Sequence, residues 1–280
     1  MQKRALAIHD ISCVGKCSLT VALPILSAAG IECSVLPTAV LSTHTGGFTG
    51  YTFRDLTDEM APITAHWKSL DLAVDSIYTG YLGSEAQLEL VKGLIRDFRK
   101  ENTVVLVDPV MADGGKLYPL FTMDFVRGMC TLCKMADIIV PNLTEATLML
   151  GEPYREDYDR AYIEGLLRRL SALGPKKVVL SGVSFEKGKL GAAAFDREKD
   201  EISYTFAEQI PGYYHGTGDV FGSALLCGVL NGFSLADSAR IAVEYTVGCI
   251  RRTYAAKTDI RFGVDFENET PTLLRLLGKI

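Results

Sequence analysis

Six short apolar runs, separated by segments with helical spacing, constrain this chain more than any other feature. They are Ala5–Ile8, Cys33–Leu36, Ser76–Tyr78, Val104–Val107, Ile138–Val140 and Val178–Leu180. Several are β-branched and do not alternate apolar with polar residues, as expected of strands covered on both faces. Between them lie helices with readable starts. Ser84 followed by Gln87 reads as a capping box ahead of Leu88, Leu90, Val91, Leu94 and Ile95. This alternation predicts an α/β fold, a doubly wound, mostly parallel sheet with helices on both faces.

Further along, Leu190–Asp196 and Glu201–Phe206 read as a hairpin in a second region, turning through the charged run Arg197–Asp200. Gly218–Leu230 and Leu235–Tyr254 read as long helices. Asn231-Gly232 stops the first, and Ser234 with Asp237 starts the second. No repeat and no Pro/Gly/Ser linker interrupts residues 1–280, which predicts one domain with at most a small lid. The lid candidate is Ala112–Pro119, where Gly114-Gly115 permits large backbone changes.

With 48% hydrophobic and 22% charged residues, the chain has material for a large core and no signature of disorder. A net charge of −5, a pI near 5.5 and no Lys/Arg run longer than two argue against a duplex nucleic-acid partner. The opening MQKRALAIHD is too briefly apolar for a secretory signal, and no stretch reaches the roughly 18 apolar residues of a membrane span. The expectation is a soluble, cytoplasmic protein with no membrane partner. Seven cysteines are an odd count, and Cys130 and Cys133 form a lone CxxC without a second ligand pair. They read as small buried residues in a reducing compartment.

The segment HGTGDVFGSALL, His215 to Leu226, carries the most chemistry. Its glycines let backbone N–H groups converge where an apolar helix begins, and such a terminus attracts anions. Asp219 in that first turn is placed to take a proton from a hydroxyl attacking phosphorus, although a helix cap is the alternative use. The third glycine comes one residue too late for GxGxxG. Gly15-Lys16 is not a P-loop either, because residue 10 is Asp and residue 17 is Cys.

GTGD running into a small-residue helix resembles the signature of the ribokinase superfamily, and the rest of the chain resembles its pyridoxal kinase branch. AIHDISCVGK (7–16), STHTGGF (42–48), TGYLG (79–83), VDPVM (107–111) and ADIIVPNLTEATL (136–148) resemble that branch's segments in order and spacing. The resemblance implies a ribokinase-like fold and ATP-dependent phosphorylation of the 5′-hydroxymethyl group of pyridoxal, pyridoxine or pyridoxamine. It also implies Mg²⁺, a further monovalent cation and a homodimer.

By the same resemblance, Asp219 is the base and Gly216, Thr217 and Gly218 cradle the phosphoryl group. Asp108, Asn142, Glu145 and Ser181 serve ATP, with Asp108 and Glu145 at the metal, the latter through water. Asp10, His44, Thr45 and Tyr81 line the vitamin pocket beside Asp219. Each has a plainer use: Asp108-Pro109 as a strand end, Asn142 as an N-cap, His44 as a structural histidine, Tyr81 as core.

One position departs from the pattern. Better-known pyridoxal kinases carry serine where this chain has Asp10, and an aspartate there resembles hydroxymethylpyrimidine and sugar kinases. Asp10 is therefore expected just after the first strand and against the acceptor. The other reading has it capping the helix near Lys16 or pairing with Lys16. A hydroxymethylpyrimidine or sugar kinase is the alternative function, and a non-catalytic pyridoxal phosphate binder a third.

Overall fold

The apolar runs become neighbours in one sheet. The computed structural model describes residues 2–280. Its strands β1 (Arg4–Ser12), β2 (Glu32–Leu41), β4 (Ser76–Thr79), β5 (Val104–Val107), β8 (Ile138–Ile139) and β9 (Lys177–Val183) are mutually parallel. Antiparallel β3 (Phe53–Asp55) closes one edge, and β10 (Lys189–Asp196) with β11 (Glu201–Glu208) closes the other. The order is β11-β10-β9-β8-β5-β4-β1-β2-β3. A separate two-stranded ribbon, β6 (Ala112–Asp113) with β7 (Lys116–Leu117), follows β5.

Both faces of the parallel strands are covered, as their lack of alternation requires. On one face Leu6, Ile8, Ile77, Val105, Val107 and Leu180 meet five helices: α2 (Thr57–Ser69), α3 (Glu85–Phe98), α4 (Met123–Cys133), α5 (Leu143–Leu150) and α6 (Arg160–Ala172). On the other, Ala5, Tyr78, Leu106, Ile138 and Val179 meet α1 (Leu19–Ala28), α7 (Thr217–Leu230), α8 (Leu235–Ala256) and α9 (Thr270–Leu276). None of these helices is long and apolar enough to cross a membrane.

The chain leaves β1 towards β2 on one side and returns to β4 on the other. The strand order therefore reverses between β1 and β4, and ligands of open α/β sheets bind at the carboxyl ends of strands at such a point.

Two local expectations change. The Leu190–Asp196 hairpin is not a separate region: β10 pairs with β9 along Ala192–Asp196 and extends the main sheet. Ser84 does cap α3, accepting the Gln87 N–H at 3.2 Å, but the reciprocal half of the box is absent. The Gln87 side chain instead accepts from Gly83 N–H and donates to the Thr38 carbonyl and Thr57 Oγ1, at 2.8–3.0 Å. Wholly buried, it ties α3 to β2 and to the start of α2.

Gln87→Ala strands those three groups in or near the core. A loss of roughly 2–4 kcal/mol in unfolding free energy is expected, read from urea denaturation.

Candidate active site

The amino end of α7 lies at the reversal point, and its geometry depends on Gly216. This residue is left-handed (φ 74°), and a Cβ on it would sit 1.9 Å from the Lys16 carbonyl oxygen, so only glycine fits. The first helical bond runs from Val220 N–H to the Gly216 carbonyl at 3.0 Å. The N–H groups of Thr217, Gly218 and Asp219 precede it and have no acceptor within the helix. The space beside Gly218 is open, with no atom within 4 Å of where a side chain would begin. The Thr217 hydroxyl turns back onto the Tyr214 carbonyl (3.1 Å).

Asp219 Oδ2 accepts the Ser18 N–H at 2.8 Å, and Oδ1 lies 3.9 Å from His9 Nδ1. Ser18 has φ 56°, a conformation that costs a serine energy, and it turns its N–H toward the carboxylate. Burial pushes Asp219 up to about 7; the Ser18 N–H works against that shift and the Asp10 charge adds to it.

Asp10 lies inside β1, not after it, next to an irregularity where β2 carries an extra residue between the His9–Pro37 and Ile11–Val40 pairs. It is 4% exposed. Burial raises its pKa, while the Ser18 and Ser12 hydroxyls hold it down; Ser12 Oγ donates to Asp10 Oδ2 at 3.1 Å. It neither caps α1 nor pairs with Lys16, whose ammonium is 2.7 Å from Glu267. Tyr81 stands close enough that the Asp10 charge, after burial, helps push the phenol up to about 12, and its ring packs on Phe121.

His44 is engaged at both nitrogens. Nδ1 accepts the Gly46 N–H at 3.1 Å and Nε2 donates to the Arg261 carbonyl at 2.5 Å, so the ring pins its own loop to the chain beyond α8. Thr45, next to it, is exposed.

On the other flank, Asn142 caps α5 in a complete box with Glu145. Asn142 Oδ1 accepts the Glu145 N–H, and Glu145 Oε2 accepts the Asn142 N–H, both at 2.9 Å. Glu145 Oε1 takes the Met111 N–H (3.1 Å), and Asn142 Nδ2 donates to the Ala112 carbonyl (2.8 Å). Burial raises Glu145 to about 8 against these donors. Asp108, at the end of β5, is raised well above the carboxylate range by burial and by the charges of Glu145 and Asp219.

A cavity of about 190 Å³ opens beside this box, lined by Asn142, Thr144, Ser181, Asp113 and Tyr154 among others. The β6–β7 ribbon overhangs it. Gly115 N–H donates to Thr144 Oγ1 (3.0 Å), and the Tyr213 hydroxyl donates to Asp113 Oδ2 (2.9 Å), joining ribbon to the loop before α7.

The fold thus brings together Asp10, Tyr81 and Asp219 on one side, and Asp108, Asn142, Glu145 and Ser181 on the other. His44 and Thr45 lie on the loop that flanks His215, whose ring is 5.0 Å from that of His44. Sequence reasoning missed Ser18, Asp113 and Tyr213. Nothing in the composition around them marks a strained serine or a tyrosine bonded a hundred residues away.

A doubly wound sheet with a Gly-Thr-Gly-Asp helix start at its reversal point is the ribokinase-like architecture. The chain belongs to the phosphomethylpyrimidine kinase family, whose model matches residues 23–262. A Bacteroides thetaiotaomicron protein assigned to the phosphomethylpyrimidine kinases, solved in an orthorhombic form with pyridoxal, superposes with a TM-score of 0.94. It is 40% identical, over 98% of this chain and 96% of that one. Pyridoxal kinase from Lactobacillus plantarum is 33% identical, with a TM-score of 0.91 over 99% and 98% of the two chains. An Arabidopsis thaliana pyridoxal kinase is 31% identical over 185 residues, 63% of this chain, and the match spans only 58% of that protein.

Asp219 binds its proton more tightly in the native state than in an unfolded chain, where a carboxyl titrates near 4. Its contribution to stability is therefore highest in acid and declines as pH rises through about 7. Asp219→Asn removes that decline. Its melting temperature relative to wild type is expected to rise between pH 5.5 and 8.5, measured on ligand-free protein; an equal difference at both pH values would refute the raised pKa.

Proposed function

We propose that this chain is an ATP-dependent kinase for the 5′-hydroxymethyl group of vitamin B6 compounds: pyridoxal, pyridoxine and pyridoxamine. The observation that carries the reading is the Asp219 carboxylate, held by the Ser18 N–H beside the free N–H groups of Thr217 and Gly218. A base within reach of an anion-binding terminus suits an in-line attack by a hydroxyl on a phosphoryl group. A protein that only carried pyridoxal phosphate would need the terminus but not the base. The pyridoxal-bound Bacteroides relative supports the choice of acceptor.

In this reading Asp219 takes the hydroxyl proton as the oxygen attacks, and the N–H groups at the start of α7 bear the charge on the transferred group. Asp10 and Tyr81 face the acceptor ring. Ser181 and Asn142 line the groove for the nucleotide.

The residues also fit a magnesium ion. No described residue donates a hydrogen bond to the Asp108 carboxylate, and no Lys or Arg is among the groups acting on it. Both Glu145 oxygens already accept backbone N–H bonds, so Glu145 suits contact through water. No cluster of three metal-binding side chains exists among the described residues, which matches an ion held chiefly by nucleotide phosphates. When bound, such an ion neutralises charge on the phosphates.

Asp10 favours one second reading, a hydroxymethylpyrimidine kinase, in keeping with the family's description. A carboxylate accepts hydrogen bonds, and an aminopyrimidine offers an amine to donate. ADP release, measured with ATP and each of the three vitamers, hydroxymethylpyrimidine and a sugar, separates these readings. Activity confined to the pyrimidine would replace the first with the second.

Asp219→Asn is expected to cut turnover roughly 10²–10⁴-fold while ATP still binds. Because the base must be ionised, wild-type activity should climb as pH rises through about 7. Near-normal turnover in the variant would make Asp219 a helix cap.

Asp10→Ser is expected to change the relative kcat/KM among the vitamers by roughly ten-fold or more, with ATP affinity little altered, as loss of a charge-assisted hydrogen bond would. A uniform fall with the ranking intact would assign Asp10 to the scaffold.

A further inference from the structure

His9 is a polar side chain beside the proposed base that no part of the mechanism uses. It precedes Asp10 in β1, has no exposed surface, and neither ring nitrogen has a hydrogen-bond partner. An unpaired buried polar group destabilises a fold, so one standing this close to a reactive carboxylate calls for an explanation.

The surroundings hold the ring firmly. It lies edge-on to Tyr78, with ring centres 4.5 Å apart. Its Nδ1 faces Gly80, where a Cβ would come within 2.2 Å, so the glycine leaves the room that the imidazole occupies. Beyond Nδ1 is Asp219 Oδ1, at 3.9 Å, while the other oxygen of that carboxylate is held by the Ser18 N–H.

We propose that His9 is a positioning residue for Asp219, donating its Nδ1–H to Oδ1 when the acceptor hydroxyl binds. Each carboxylate oxygen then has one fixed donor, Ser18 N–H on Oδ2 and His9 on Oδ1, and the remaining lone pair of Oδ1 points to the hydroxyl. A shift of about 1 Å brings the pair within hydrogen-bond range. The inference rests on the reading of Asp219 as the base.

The charges around Asp219 favour this role. The groups acting on it or feeling its charge are Asp10 on β1, Cys17 on the following loop, Tyr78 on β4 and Asp108 after β5. None is a cation. Burial presses His9 down to about 3, so it stays neutral at working pH and offers a hydrogen bond without a full positive charge. A cation in its place would orient the base and also depress its basicity, whereas a neutral donor orients it at smaller cost to proton acceptance.

The test is steady-state kinetics with pyridoxal, ATP and magnesium on His9→Leu and His9→Gln, each alone and combined with Asp219→Asn. Leucine has similar bulk and no donor; glutamine restores one. His9→Leu is expected to lower kcat about ten-fold, as loss of a hydrogen bond to a charged group does. The KM for ATP should stay unchanged and the melting temperature should not fall, since an unpaired polar group has been removed.

His9→Gln should recover most of the rate, and His9→Leu should cost nothing further in the Asp219→Asn background. Should His9→Leu fail to fold, His9→Met, whose side chain adapts to irregular space, makes the same comparison. Wild-type kcat in the apolar variant, no recovery with glutamine, or a full additional loss on top of Asp219→Asn would each overturn the proposal. An active Asp219→Asn single variant would overturn the base itself, a result distinct from all three.

Discussion

Four carboxylates, Asp10, Asp108, Glu145 and Asp219, are gathered into the buried carboxyl end of the sheet, and much of the local structure answers to that crowding. Burial raises the pKa of every one, and like charges add to the effect at Asp108 and Asp219. What partly offsets it is mostly neutral: the Ser12 and Ser18 hydroxyls and Ser18 N–H on one side, with a smaller charge effect from His44 on Asp10, and the N–H groups of Met111 and Asn142 on the other. A protein with no task there would place leucines. Carboxylates buried together with raised pKa values and no Lys or Arg among the groups acting on them are the kind of perturbed cluster that marks candidate functional sites.

The fold tolerates this because the unfavourable groups occupy one edge of a large double core. The strands bury side chains on both faces, and thirteen residues from Ala5 to Val107 on β1, β4 and β5 have no exposed surface. Asp10 and Asp108 stand at the carboxyl ends of β1 and β5, and Glu145 and Asp219 in the first turns of α5 and α7, so the site is built on elements that cannot move far without opening the core. Loops supply the remaining contacts: the β6–β7 ribbon beside the cavity, and the β1–α1 loop whose Ser18 N–H reaches Asp219.

Much of the fold was legible because its signals are local. Val104–Val107 is strand because four consecutive β-branched or aliphatic residues fit only a doubly covered strand, and Ser234 announces α8 by bonding Asp237 N–H. β3 was not legible, since Phe53–Asp55 is short and buries none of its three residues. Nor was the place of the β10–β11 hairpin, because pairing with β9 is decided by residues some ten positions away. In the site, Asp219 and Asp108 stood out by motif, as did the Asn142–Glu145 spacing. Gln87 showed its capping half and hid its other three bonds, which depend on where β2 and α2 lie.

Ser18 illustrates what a motif cannot contain. Its side chain has an ordinary N-cap identity, yet at α1 it makes no cap bond and instead adopts φ 56°. Gly216 adopts φ 74° directly across from it, with the Lys16 carbonyl filling the space a side chain would need. The two left-handed turns fit one another: the glycine lets α7 start close to the β1–α1 loop, and the strained serine then delivers its N–H to the first turn of α7. Either residue in an ordinary conformation would move Asp219 relative to Asp10. The distance between Asp219 and Asp10 is thus set by backbone, across about two hundred residues of sequence, and side-chain identity at 10 and 219 acts only within that frame.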